Sequence, residues 1–296
     1  MERQIEGFRS KEYVDVDWLL LWGKIVEVQE DLEGRIDCRE TCPFLDRESI
    51  KERNRKGLPA LDMEALCLDE AVLRELLRRV SELPLKGTAH GAVRQLLWAD
   101  RSGKISLSEF VKRSMVGDWE RLRTFGLETK GEQTEGFGLL ALILAAPFLR
   151  CCARALPAIP GFEYESSASC PVCGGLPLMA RLRREDGKRL LECSVCRFSW
   201  FMDRLKCPFC GNTDPQTLDY FFDEAEAAFR VDTCEVCRGY IKTVDERKLD
   251  DEGPVILALT DLGTLYLDLL AERKGYQVQG RDRTGEGGDK GWPKER

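Results

Sequence analysis

The sequence predicts an α+β multidomain protein: an N-terminal all-α helical domain, two tandem four-cysteine ribbon-like modules, and a C-terminal helix. Three observations predict it. Apolar residues recur at helical spacing through the first 157 residues, with no competing strand alternation. Eight of the thirteen cysteines then form four Cys-x-x-Cys pairs, Cys170/Cys173, Cys193/Cys196, Cys207/Cys210 and Cys234/Cys237, with short β-like runs between them. After the last pair, residues 261–274 return to a helical pattern.

The helices follow in order. From Val14 to Val28 an apolar stretch places Asp15, Asp17, Lys24 and Glu27 toward water. Met63 to Leu83 carries Leu66, Val72, Leu73, Leu76, Leu77 and Val80 at helical intervals, bounded by Pro59 and Asp62 before it and Pro84 after it. A shorter helix spans Gly91–Ala99, and another starts at Ser106, whose spacing to Glu109 fits a capping box. Trp119–Leu127 precedes a polar turn, and a longer apolar helix from Phe137 to Leu156, with Pro147 as a kink site, closes the domain. Its apolar run, Phe137–Leu149, is shorter than the roughly 20 residues of a bilayer span and reads as a buried helix.

A Pro- and Ser-rich stretch from Pro157 to Ser169 marks the domain boundary. The expected organisation is a helical domain at 1–160, a first module at 165–203, a second at 204–250, a C-terminal helix at 255–276, and a Gly-rich charged tail at 277–296 that reads as disordered. Within the modules, runs around Arg184–Gly187 and around Asp223–Glu226 read as hairpins, so the order knuckle, hairpin, knuckle, strand occurs twice.

Two thiolates three residues apart chelate one ion from a tight turn, and two such pairs complete a tetrahedral all-sulfur set. Nineteen residues separate the first pair from the second and 23 the third from the fourth. A hairpin between knuckles therefore favours first with second and third with fourth. Pairing the second with the third, only ten residues apart, is the competing arrangement. Cys170-Pro-Val-Cys-Gly174 and Cys207-Pro-Phe-Cys-Gly211 carry the glycine that tolerates a left-handed turn. Cys193-Ser-Val-Cys-Arg197 and Cys234-Glu-Val-Cys-Arg238 do not, and slightly different turns are expected there. Spacing leaves zinc and iron both open. Of the other cysteines, Cys38-x-x-x-Cys42 has the spacing of a half-site but no second half nearby, Cys67, Cys151 and Cys152 sit in helical patterns and read as small buried hydrophobes, and structural roles are the preferred reading for all five.

Other chemistry is narrowed by what is missing. His90 is the single histidine, so a histidine-based triad or hydrolytic zinc site would have to rest on it; it reads as a surface or capping residue. Asp100–Glu109 fails as a calcium loop, because Gly103 and Glu109 fall at positions 4 and 10 of it. The net charge is −7, and from Cys170 to Lys242 there are 11 Lys+Arg against 11 Asp+Glu, a poor phosphate trap that argues against nucleic acid. The charged N-terminus shows no secretory h-region, and paired cysteines without an export signal point to a reducing cytoplasm.

Taken together, Cys170-Pro-Val-Cys-Gly-Gly175, Leu191-Glu-Cys-Ser-Val-Cys-Arg-Phe-Ser-Trp200, Lys206-Cys-Pro-Phe-Cys-Gly-Asn212 and Asp232-Thr-Cys-Glu-Val-Cys-Arg-Gly-Tyr-Ile-Lys-Thr-Val244, followed by Asp261 to Tyr276, resemble the FdhE family of formate dehydrogenase accessory proteins. The resemblance is strong over 165–276 and looser before it. It implies a rubredoxin-like (zinc-ribbon-like) fold for each module and iron held by the eight paired cysteines, in two mononuclear four-cysteine sites. It further implies a cytoplasmic, non-enzymatic role in maturing formate dehydrogenase by binding its catalytic subunit; a homodimer is compatible with it. Zinc in place of iron, a rubredoxin-like one-electron carrier, and a zinc-ribbon scaffold or nucleic-acid-binding module are the competing readings. Phe198, Trp200 and Phe201 are candidate client contacts, although strand packing is the preferred reading for them.

Overall fold

The computed structural model describes residues 1–278, apart from Ser10, Glu12, Pro160, Gly161, Glu163, 165–167, Asp251 and Glu252. The expected tail from residue 279 onward lies outside the described residues. The α+β multidomain class is observed: the chain divides into two compact units, one helical, built mainly from residues 24–159, and one centred on a sheet, built from residues 1–23 and most of 164–278. The first 23 residues thus group with the sheet and not with the helices that follow them, unlike the 1–160 division read from the sequence.

Helices α1 (Glu2–Arg9) and α2 (Val16–Glu33) are followed by α3 (Cys38–Thr41), α4 (Arg47–Arg55), α5 (Glu70–Ser81), α6 (Gly87–Arg101), α7 (Leu107–Met115), α8 (Trp119–Thr124) and α9 (Glu132–Ala155). In α5 the apolar stripe Val72, Leu73, Leu76, Leu77 and Val80 is buried as its spacing demands. The helix starts seven residues later than Met63, because the Asp69 carboxylate accepts the amides of Ala71 (2.7 Å) and Val72 (3.1 Å) and sets the N-cap. Ser106 caps α7 through the Glu109 amide at 3.1 Å, as the capping-box spacing requires. His90 is exposed on α6.

Helix α9 is the axis of the helical unit, contacting α3, α5, α6 and α7, and it runs through Pro147 without ending. With the turn after it, Glu132–Ala158 is long and apolar enough to cross a membrane, yet 83% of its most apolar window is buried within the protein. Its approach to α6 needs a glycine: a Cβ on Gly136 would lie 2.5 Å from the Thr88 carbonyl oxygen. Near its C-terminal end, buried Arg150 donates to Gln29 Oε1, and Gln29 in turn donates to the Ile143 carbonyl at 2.8 Å. Glu33 of α2 receives both Arg150 and Arg154.

The sheet unit contains β1 (Pro177–Leu182), β2 (Arg189–Cys193), β3 (Ser199–Phe201), β4 (Leu218–Phe222), β5 (Phe229–Cys234) and β6 (Tyr240–Asp245). Each module is an antiparallel three-strand ladder, but the two are not separate sheets. β1 pairs in parallel with β6 (Ala180 with Thr243, Leu182 with Asp245), giving one six-stranded sheet of order β3-β2-β1-β6-β5-β4. β6 is flanked on both edges, and every residue of it is buried. Trp200 is fully buried, which makes it core; Phe198 meets Tyr164 edge-on at 5.9 Å, and Phe201 remains 40% exposed beneath Arg183 and Lys188.

Two helices, α10 (Leu257–Gly263) and α11 (Leu265–Arg273), stand where one was expected. The break is at buried Thr264, whose hydroxyl donates back to the Thr260 carbonyl at 2.7 Å, a local bond that competes with helix continuation. Helix α1 docks here: Gln4 donates to the Ile256 carbonyl (2.9 Å) and accepts from its amide (3.0 Å), and Phe8 lies against Gly263, where a Cβ would come within 2.4 Å of the ring. Lys242 of β6 reaches the same helices, with its ammonium 2.8 Å from Asp261 Oδ1 and 2.6 Å from Asp268 Oδ2. Gln277, expected in the tail, bridges to Gly239 in parallel instead.

Candidate metal centres

The four Cys-x-x-Cys pairs sit at equivalent points of the repeat: one at the chain's approach to β1, one at the end of β2, one ahead of β4, one at the end of β5. They fold alike because each closes the same hydrogen-bonded turn. The amide of the leading cysteine donates to the carbonyl five residues on, Cys170 to Gly175 (2.7 Å), Cys193 to Phe198 (2.9 Å), Cys207 to Asn212 (2.8 Å) and Cys234 to Gly239 (3.0 Å). The residue after the second cysteine is left-handed in all four: Gly174 (φ 78°), Arg197 (55°), Gly211 (73°) and Arg238 (56°). The expectation of slightly different turns where glycine is absent is therefore corrected. The knuckle imposes the left-handed conformation on arginine too, at a strain of about 1–2 kcal/mol.

The sulfurs group as Cys170, Cys173, Cys193 and Cys196, and as Cys207, Cys210, Cys234 and Cys237, with all atoms of a group within 4.8 Å of one another. This is the first-with-second, third-with-fourth grouping. Across each group, Cys170 and Cys196 stand 3.5 Å apart, and Cys207–Cys237 and Cys210–Cys234 each 3.7 Å, without bonds. Amides point at the sulfurs: Val195 N–H to Cys193 and Phe209 N–H to Cys207, both at 3.4 Å. Asn212 adds its side-chain amide to the Cys234 sulfur at 3.7 Å while also holding Thr217 at 2.7 Å.

The two clusters differ in exposure. All four cysteines of the first are buried, whereas in the second Cys210 is exposed and Cys237 half-buried. Burial pushes the Cys207 thiol up, and it does the same to Cys237, reinforced there by the neighbouring Cys207 and Cys210. At Cys234 burial is outweighed by the amides of Cys237 and Val236 and by the neighbouring thiols, which bring it down to about 7. A set made of sulfur alone, with amides aimed at it, suits a soft or borderline cation, and zinc and iron both fit.

Sequence reasoning missed the residues that support the second cluster. Arg189, only 3% exposed, donates to the carbonyls of Asp203 and Lys206 and so clamps the connection from β3 into the third knuckle. Burial lowers its pKa. It lines, with Arg230, Tyr220, Cys207 and Cys234, a cavity of about 490 Å³. Arg189 carries no spacing signal in the sequence, and Asn212 is marked only by following a knuckle glycine.

The five remaining cysteines divide into four that are bonded and the free Cys67. Cys38 is bonded to Cys151 and Cys42 to Cys152, at Cα separations of 5.5 and 6.7 Å. The partners of Cys38 and Cys42 are the adjacent Cys151 and Cys152, more than 100 residues away, so the Cys38-x-x-x-Cys42 spacing serves disulfide bonding here and not a metal half-site. These two are buried, as read, but as bonded partners and not as plain hydrophobes. Cys67 is exposed and lies outside any helix, so its reading as a buried hydrophobe is overturned.

Residues 169–204 match the family described as FdhE, central domain, and residues 205–283 match FdhE, C-terminal domain. An FdhE homolog of Aquifex aeolicus is 39% identical over 120 residues, 39% of this chain and 41% of that protein. An FdhE homolog of Enterobacter sp. is 29% identical over 77% of this chain and 69% of that one, and an Escherichia coli FdhE protein is 27% identical over the same shares. The alignment thus spans less than half of the Aquifex relative. The crystal structure of the FdhE protein from Pseudomonas aeruginosa shares the fold, with a TM-score of 0.63, 23% identity, and coverage of 95% of this chain and 92% of that one.

Proposed function

From the premise that this chain is an FdhE-family protein, we propose that it is a non-enzymatic accessory factor for the formation of active formate dehydrogenase, acting on the catalytic subunit in the cytoplasm. The observation that carries the reading is the pair of four-sulfur clusters built on a duplicated knuckle turn and joined in one continuous sheet. We assign Cys170, Cys173, Cys193 and Cys196 to one mononuclear iron, and Cys207, Cys210, Cys234 and Cys237 to the other. A closed all-thiolate shell leaves no position for a substrate, so iron held there would supply a one-electron couple, and zinc in its place would leave a scaffold. The protein's own part is to set the sulfur positions through the left-handed knuckles, to lower sulfur charge through the Val195, Phe209 and Asn212 amides, and to keep water from the first cluster by burying it.

The exposure of Cys210, with exposed Leu205 just ahead of the third knuckle and exposed Val236 within the fourth, favours a second reading, in which the second cluster exchanges single electrons with a docked protein. The test is metal analysis and a visible spectrum of anaerobically purified protein, followed by capture of an immature formate dehydrogenase catalytic subunit. Coloured protein with two irons per chain that retains the subunit supports the proposal. Two zinc ions from iron-replete material would remove the redox part, and failure to bind the subunit would remove the client. Electron transfer intact in a Cys210→Ser variant would remove the second reading.

A further inference from the structure

We propose that Cys38, Cys42, Cys151 and Cys152 form a thiol–disulfide exchange site in the helical unit, converting between two disulfides and four thiols with dithiols and disulfides as reaction partners. Four features carry it. Two cysteines one turn apart, at the start of α3 and just past its end, meet two adjacent cysteines in the last turn of α9, so both bonds span the same pair of elements. Their sulfurs are joined pairwise, whereas the ribbon sulfurs stand unbonded within 4.8 Å of one another in groups of four. Access is graded: Cys38 is partly exposed, while Cys42, Cys151 and Cys152 are 3%, 1% and 0% exposed. Finally, the reduced state has a partner in place, since the Ile36 carbonyl oxygen lies 3.5 Å from the Cys151 sulfur and would accept its S–H.

The grading fixes the order of events, because exchange begins at the sulfur a thiolate can reach. A dithiol thiolate attacks the Cys38 sulfur; the Cys38–Cys151 bond breaks, and Cys151 leaves with the electron pair and takes up a proton. The second thiol of the reductant resolves the mixed disulfide, freeing Cys38 and departing as a cyclic disulfide. The Cys38 thiolate, one helical turn from Cys42, then attacks the Cys42 sulfur and displaces Cys152, moving the remaining disulfide to the accessible Cys38–Cys42 position, where a second dithiol reduces it. Each disulfide thus consumes one dithiol and yields two protein thiols. Oxidation is the reverse, with a disulfide as the acceptor. Arg150 ties the end of α9 to Gln29 and Glu33 of α2, which places the expected structural change on the α3 side.

The experiment equilibrates the full metal-loaded chain with glutathione buffers of graded ratio, quenches with acid, alkylates, and maps the four cysteine-containing peptides. Parallel arms use dithiothreitol and a reduced dithiol protein. The expected result is reversible conversion of all four cysteines between linked and alkylated forms. Conversion in either arm supports the site, and the faster arm identifies the partner class. In Cys38→Ser the remaining Cys42–Cys152 bond should be reduced about tenfold more slowly or worse, since its only accessible relay is gone. Four thiols that stay alkylatable in oxidised glutathione would overturn the proposal. So would bonds that resist both reductants in the native chain. A third metal equivalent, lost in Cys151→Ser, would overturn it in favour of a metal site.

Discussion

Replacing Lys242 with methionine should be among the most damaging single changes to the sheet unit. Its ammonium is 3% exposed and uses its donors on the Asp261 carbonyl oxygen (2.7 Å), Asp261 Oδ1 (2.8 Å) and Asp268 Oδ2 (2.6 Å). Asp268 also accepts from the Tyr240 hydroxyl at 2.7 Å, and burial, followed by that carboxylate, pushes the Tyr240 pKa up. Methionine matches the lysine stem in volume but leaves two carboxylates, each less than a quarter exposed, without their cation. Breaking a buried pair on one side costs about 3–5 kcal/mol, and the partial exposure of the aspartates places this case near about 3 kcal/mol. Urea unfolding of the sheet unit at matched metal occupancy measures it, with an unchanged m-value as the control. Adding Asp268→Asn should restore part of the loss by removing one of the stranded charges. A loss below about 1 kcal/mol for Lys242→Met would refute the reasoning, because the network would then behave as a surface ion pair.

Other perturbations follow from the same geometry. Arg238→Gly should not stabilise the second module in a metal-loaded thermal shift, because relief of the left-handed strain is offset by loss of the Arg238 bond to the Lys274 carbonyl (2.9 Å) and of its stacking 4.2 Å from the Tyr276 ring. Gly263→Ala drives a methyl into Phe8 and should cost about 1–3 kcal/mol in the sheet unit, while Gly136→Ala does the same to the α6–α9 contact in the helical unit; urea melts separate the two. The Asp245 carboxylate is held below its usual range by Arg247, which bonds it at 2.7 Å through both Nε and Nη2. Its contribution is complete above the unfolded carboxylate pKa of about 3.9 and drains away as pH falls through the lower folded value, so Asp245→Asn should flatten the acid limb of a stability–pH curve. Cys207→Ser with Cys210→Ser should halve the bound metal and leave the first cluster loaded, as elemental analysis would show.

How far the site could be read depended on distance along the chain. The knuckles were legible because each turn closes within six residues and its two cysteines stand three apart. Their grouping was legible because a hairpin joins each pair. The partners of Cys38 and Cys42 were not, because Cys151 and Cys152 arrive from the far end of α9 and carry no metal-ligand spacing of their own. The burial of α9 was legible from apolar content, whereas its seam with α6 turns on one glycine, Gly136, against one carbonyl. Arg197 and Arg238 show the reverse error: local propensity argued for slightly different turns where five-residue hydrogen bonding enforces the same one.

By itself the sequence determined the two four-cysteine sets, the duplicated module, the helical N-terminal half, and the likeness to FdhE, all of which are written in short-range spacing. Tertiary structure decided that the two modules share one sheet through the parallel β1–β6 pair, that α1 belongs with α10 at the other end of the chain, and that four further cysteines meet in the helical unit. The physical reason is common to all three. Each rests on contacts between segments far apart in sequence, whose partners are selected by burial and backbone pairing, and which leave no periodic trace in either segment alone.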